Sequence, residues 1–123
     1  MAIKTILVED NEGIRRALIP ALAELANVDV IAIAETAAEG ILALASHSWQ
    51  LAIVDMQLRE GTGLAVLRAG QDRAAHQHMI AFSNYATHEI RRRCMEAGAD
   101  AVYDKSTEIE ALFEKCRSYP DGD

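Results

Sequence analysis

At 123 residues the chain has room for one domain and not two, and it can bury roughly two-thirds of its unfolded surface without disulfides or a structural metal. Half of the residues are apolar, a quarter are charged and 5% are aromatic, so the core must be built mainly from Ala, Leu, Ile and Val. The formal net charge of −7 argues against nucleic acid as a direct partner, because phosphate backbones are bound by clustered Lys and Arg.

Short apolar runs alternate with amphipathic segments along the chain. Ile3–Val8 is expected as a first strand and ends on Glu9-Asp10. The helix after it takes Asn11 as its cap and Ile14, Leu18, Ala21, Leu22 and Leu25 as its apolar positions. Pro20 inside it removes one hydrogen bond and should bend it. Val28–Ala34 is the second strand, and Thr36-Ala37-Ala38-Glu39 is a capping box that opens a helix ending near Ser46. Leu51–Val54 is apolar without alternation, which suits a strand buried on both faces, and it ends at Asp55. A loop over Gln57–Thr62 leads into a short helix from Gly63 to about Ala69, stopped by Gly70, and Gln71–Gln77 reads as a polar loop. Met79–Phe82 is the fourth strand and ends at Ser83, after which Thr87 caps a helix with Ile90, Cys94 and Ala97 toward the core. Ala101–Tyr103 is the fifth strand, followed by Asp104-Lys105. Thr107–Glu110 then reads as a second capping box, ahead of a stripe of Ile109, Leu112, Phe113 and Cys116. Residues 119–123 read as a loose polar tail beyond a domain spanning 1–118.

Cys94 and Cys116 fit no zinc or redox spacing and sit at apolar helical positions, which reads as buried reduced thiols. There is no signal-peptide core and no run long enough to span a membrane, so a cytoplasmic location is expected, with no membrane partner.

Five strands alternating with five helices predict a doubly wound α/β domain of the flavodoxin-like type, with a parallel sheet in the order 2-1-3-4-5. In that order the first and third strands are neighbours, and their tips carry Glu9, Asp10 and Asp55. Three carboxylates held together need a cation or raised pKa values, and all-oxygen ligation suits Mg²⁺. A carboxylate can also attack phosphorus, and the transferred group would then need a cationic partner and a hydroxyl donor. Lys105 and Ser83 end the fifth and fourth strands on the same sheet edge and supply both.

Taken together, Glu9-Asp10, Asp55, Ser83 and Lys105 at these spacings resemble the receiver domain of bacterial two-component response regulators, over nearly all of residues 3–117. The resemblance implies that Asp55 accepts a phosphoryl group from a sensor histidine kinase or phosphotransfer protein. It implies that Asp10, Asp55 and the backbone carbonyl of Gln57 hold Mg²⁺, with Glu9 acting mainly through water. Ser83 would hydrogen-bond the phosphoryl group and Lys105 would pair with it. Such a protein is not an enzyme beyond its own phosphorylation and dephosphorylation, and it switches a surface for a downstream protein that the sequence does not identify. Gln57 and Tyr85 occupy flanking positions that tune loss of the phosphate, and Gly63 matches a glycine that lets the third helix start close to the site.

Four positions depart from the family pattern: Arg59 and Ser106 stand where prolines are common, Asn84 where a very small residue is common, and Val102 where an aromatic switch residue usually lies. Tyr103, one residue later, falls on the opposite strand face. These departures motivate the alternative of a receiver-like interaction module that is not phosphorylated. An aspartate-nucleophile phosphohydrolase is disfavoured, because Gln57 occupies the place of its second aspartate. Arg91-Arg92-Arg93 reads as a solvated helix face rather than a docking patch, and His76 and His78 as part of a polar loop rather than a metal pair. The chain starts at Met1 and ends on a polar run, and is expected to be a stand-alone receiver.

Overall fold

A computed structural model describes residues 1–121; Gly122 and Asp123, the end of the expected polar tail, lie outside the described residues. The elements alternate strictly: β1 (Ile3–Val8), α1 (Glu12–Ala26), β2 (Val28–Ala34), α2 (Ala37–Ser46), β3 (Leu51–Val54), α3 (Gly63–Ala69), β4 (His78–Ser83), α4 (His88–Glu96), β5 (Ala101–Asp104) and α5 (Ile109–Ser118). All strand pairs are parallel and the order is β2-β1-β3-β4-β5, as expected of a flavodoxin-like doubly wound sheet.

Alternation along the strands splits the core into two layers. Ile6, Val8, Ala52, Val54, Met79, Ala81 and Val102 face the side covered by α2, α3 and α4. Ile3, Leu7, Leu51, Ile53, Ile80 and Phe82 face α1 and α5, which contribute Leu18, Leu22, Leu112, Phe113 and Cys116. The central strands are buried on both sides, which is why Leu51–Val54 shows no polar residue. Both thiols are buried and free; loss of hydration pushes the Cys116 thiol up to about 12.

Caps set the helix starts. Asn11 Oδ1 accepts from the Ile14 N–H at 2.9 Å and Thr36 Oγ1 from Glu39 at 3.1 Å; Thr62 and Thr87 cap α3 and α4 in the same way. Helix α1 runs through Pro20, whose ring is on the exposed side. The expected box at Thr107–Glu110 does not form. Glu108 takes the cap position without a side-chain cap bond, because its carboxylate accepts instead from the Asp104 N–H and from Arg91. Some positions of the expected apolar stripes and runs turn to solvent: Leu25 in α1 is 51% exposed, Ile33 in β2 49%, and Ile109 in α5 39%. At the opposite end of the sheet Tyr119, expected in a loose tail, stacks on His78 with ring centroids 4.0 Å apart, and Asp121 accepts from Asn27 Nδ2 at 3.1 Å.

Gly63 lets α3 begin against the end of β3. A Cβ there would lie 2.2 Å from the Asp55 carbonyl oxygen and 2.8 Å from Met56 Cα, both backbone atoms that cannot yield. Gly63→Ala is therefore expected to lower stability by about 1–3 kcal/mol, the usual cost of overpacking, read as a lower urea midpoint with unchanged slope.

Candidate functional site

The switch point of the sheet builds the site. Register pairs Val8 with Val54, and the Asp55 N–H donates to the Val8 carbonyl at 2.9 Å, so the residues after both strands emerge side by side. Carboxylate oxygens of Glu9, Asp10 and Asp55 lie within 4.8 Å of one another. Glu9 and Asp55 are buried, whereas Asp10 is partly open to solvent.

Lys105 answers the two buried charges. Its ammonium lies 2.5 Å from Glu9 Oε1 and 3.1 Å from Asp55 Oδ2, with 8% of its side chain exposed. Burial pushes the Glu9 carboxyl above its ordinary value; the hydrogen bond from Lys105 pulls it back and the charge of Asp55 pushes it up again. Glu9 Oε2 also accepts from the Asn11 N–H, and Asp55 Oδ1 accepts from the Gln57 N–H at 3.2 Å. Gln57 is exposed in the β3–α3 loop, which a bridge from Gln57 to Thr62 draws closed.

Lys105 reaches the acids with Ser106, not proline, behind it and with every described peptide bond trans. The turn is shaped by Asp104 instead. Its Oδ1 accepts from both the N–H (2.8 Å) and the hydroxyl (2.6 Å) of Ser106, and its Oδ2 from the Ala86 N–H at 3.0 Å. These bonds, led by the Ser106 hydroxyl and then the Ala86 N–H, hold the Asp104 carboxyl down at about 2. The Lys105 N–H donates to the Ser83 carbonyl, tying the β5 tip to the β4 tip.

Ser83 is brought to the same edge, with its hydroxyl bonded within its own loop. Its hydroxyl is buried and donates to the Asn84 carbonyl at 3.1 Å. Tyr85 beside it is 82% exposed and holds φ at 51°, a left-handed backbone that is costly for an aromatic residue. Val102 is buried on the α4 side, and Tyr103 packs in the opposite layer with α1 and α5, as the one-residue offset predicted. An apolar groove of about 340 Å³ opens between α1, the β4 tip and α5, with Ile14, Phe82, Asn84 and Lys105 on its walls.

Arg15 escapes sequence reasoning. From the first turns of α1 its guanidinium donates to the Glu9 carbonyl at 2.9 Å and to Glu35 at 3.2 Å, pinning the acidic loop to the end of β2. An arginine in the first turn of the helix that follows an acidic pair is the signal the sequence carries. Among the described residues the acid trio is the one cluster of three candidate metal ligands, and His76 and His78 are not part of it.

A family model described as the response regulator receiver domain matches residues 5–117. The chain is 27% identical over 103 residues to the DNA-binding transcriptional activator DevR/DosR of Mycobacterium tuberculosis, covering 84% of this chain and 48% of that protein. It thus spans about half the length of the curated relative it matches. Among solved structures it is similar to a LuxR-family DNA-binding response regulator from Staphylococcus aureus (TM-score 0.83, 18% identity, 94% of this chain and 99% of that one). It is equally similar to the response regulator domain of Thermotoga maritima CheB (TM-score 0.83, 16% identity, 95% of each chain). At these identities the structural likeness establishes the fold.

Removing the ammonium should be costly in a pH-dependent way. Lys105→Met leaves Glu9 and Asp55 buried and unpaired, an expected loss of about 3–5 kcal/mol at pH 7. Glu9 is already raised above 4.5 and rises further without Lys105. A carboxyl raised on folding favours the folded state below its unfolded value, and that benefit fades as pH climbs through the folded value. The deficit measured by urea unfolding should therefore be smaller at pH 5 than at pH 7.

Proposed function

The chain belongs to the response regulator receiver domain family, and from that premise we propose that residues 1–118 form a receiver that accepts a phosphoryl group on Asp55. The observation that carries the reading is the pairing of the buried Asp55 carboxylate with the buried Lys105 ammonium, beside two further acids at one sheet edge.

In the proposed reaction an Asp55 Oδ attacks the phosphorus of a phosphohistidine on a sensor kinase or phosphotransfer protein. A P–O bond forms as the P–N bond breaks, leaving an acyl phosphate on Asp55 and an imidazole that takes up a proton. Lys105 holds the charge of the transferred group, and Ser83 supplies its hydroxyl once that turns from the Asn84 carbonyl. The residues present fit a divalent cation. Three carboxylates with one ammonium leave an excess of two negative charges in an all-oxygen donor set, and Asp10 is open to solvent where such an ion keeps its waters. Asp10, Asp55 and the Gln57 carbonyl would hold Mg²⁺, with Glu9 behind them. When bound, the ion offsets negative charge on the phosphoryl oxygens.

On this reading the protein catalyses only its own phosphorylation and dephosphorylation. Phosphorylation adds charge at the strand tips and alters the surface that a downstream protein reads. No helix among the described residues is long and apolar enough to cross a membrane, which is consistent with the cytoplasmic location proposed here. The DNA-binding activity named for the relative is not assigned to this chain, whose net charge is −7.

With Mg²⁺ and acetyl phosphate, intact mass should rise by one phosphoryl group in the parent and not in Asp55→Asn, and Asp10→Asn should need far more Mg²⁺ for the same yield. An unmodified parent that also shows no Mg²⁺ binding up to millimolar concentration would favour the interaction module instead.

A further inference from the structure

Arg91 lies within a run of three arginines, but its surroundings differ from those of its neighbours. Arg92 pairs with Glu89 and Glu96 and Arg93 with Glu89, all along the exposed face of α4. Arg91 points inward. Its Nε donates to the Ala86 carbonyl at 2.9 Å, Nη1 to the Val102 carbonyl at 3.0 Å, and Nη2 to Glu108 at 2.5 Å. One guanidinium on α4 thus holds the β4–α4 loop, strand β5 and the cap of α5 together.

Ala86 is held from both sides. Asp104 takes its N–H while Arg91 takes its carbonyl. Glu108 accepts from both Arg91 and the Asp104 N–H, which closes the network. Ala86 lies three residues after Ser83, whose hydroxyl is bonded to the Asn84 carbonyl of the same loop. Turning that hydroxyl toward a group on Asp55 breaks its bond to the Asn84 carbonyl and so removes a restraint on the segment leading to Ala86. Ala86 can follow only if Arg91 and Asp104 move with it or let go. The side chain of Val102 is apolar, so that residue joins the network through its carbonyl alone, and Tyr103 faces the other layer.

We propose that the Arg91–Glu108–Asp104 network is the element that carries the state of Asp55 to the surface of α4 and α5, and that it favours the unmodified arrangement. The inference rests on the reading of Asp55 as phosphoryl acceptor. Contacts made in only one of two states bias the equilibrium toward that state, so removing them favours the other. Arg91 makes no contact with the acid cluster, yet its loss should strengthen binding there.

The probe is beryllofluoride with Mg²⁺, titrated into the parent, Arg91→Met, Glu108→Gln and, as a control, Arg93→Met. Arg91→Met and Glu108→Gln are expected to bind at least about 5-fold more tightly than the parent, within the usual range of coupling between sites, while Arg93→Met stays at the parental affinity. A merely structural role would leave affinity unchanged or weaken it. If Arg91→Met fails to unfold cooperatively in urea, Glu108→Gln carries the test. Unchanged or weaker binding by a folded variant overturns the inference alone; a parent that binds no beryllofluoride and takes up no phosphoryl mass overturns the functional reading and the inference with it.

Discussion

The arrangement depends on one buried cation. Glu9 and Asp55 emerge from adjacent strands with their carboxylates within 4.8 Å of each other, a repulsion that the interior cannot screen as water does. The Lys105 ammonium lies between them, delivered from the far side of β4 by a side chain long enough to cross the strand tips. It leaves a site that is anionic but not prohibitively so. Asp10, outside this pairing and open to solvent, contributes the remaining charge.

Because the acids repel one another, the loops that carry them must be restrained by something other than the acids. Charged side chains bonded to backbone groups do this. Arg15 holds the Glu9 carbonyl, Asp104 shapes the turn at Ser106 and catches Ala86, and Arg91 holds Ala86 and Val102. The same device recurs at the other end of the sheet, where Arg73 donates to the carbonyls of Gly70, Gln77 and Gly98 and to Asp100. Half-buried guanidinium groups satisfy several carbonyls at once, which suits loops that cannot satisfy their own polar groups.

The architecture was legible because its signals are local. Apolar runs without alternation marked the doubly covered strands, and Asn11, Thr36 and Thr87 occupy helix caps whose side chains accept from the first turn. Where a distant partner competed with a local signal, reading failed. Thr107–Glu110 has the pattern of a capping box, yet Glu108 is drawn to Arg91, a residue 17 positions earlier that no local pattern ties to it. Arg91 itself was indistinguishable from Arg92 and Arg93, since three adjacent arginines on a helix differ only in the direction each faces.

The sequence by itself determined the strand order and which residues stand at the strand tips, because periodicity, handedness and chain order leave few alternatives. Only the tertiary structure decided how those residues are partnered. It set Lys105 between Glu9 and Asp55 despite the serine behind it, and it turned the Ser83 hydroxyl to its own loop. It also placed Arg91 across three elements. The physical reason is range: strand and helix formation depend on neighbours a few residues apart, whereas each of these partnerships is a contest among donors and acceptors that meet only after the sheet has assembled.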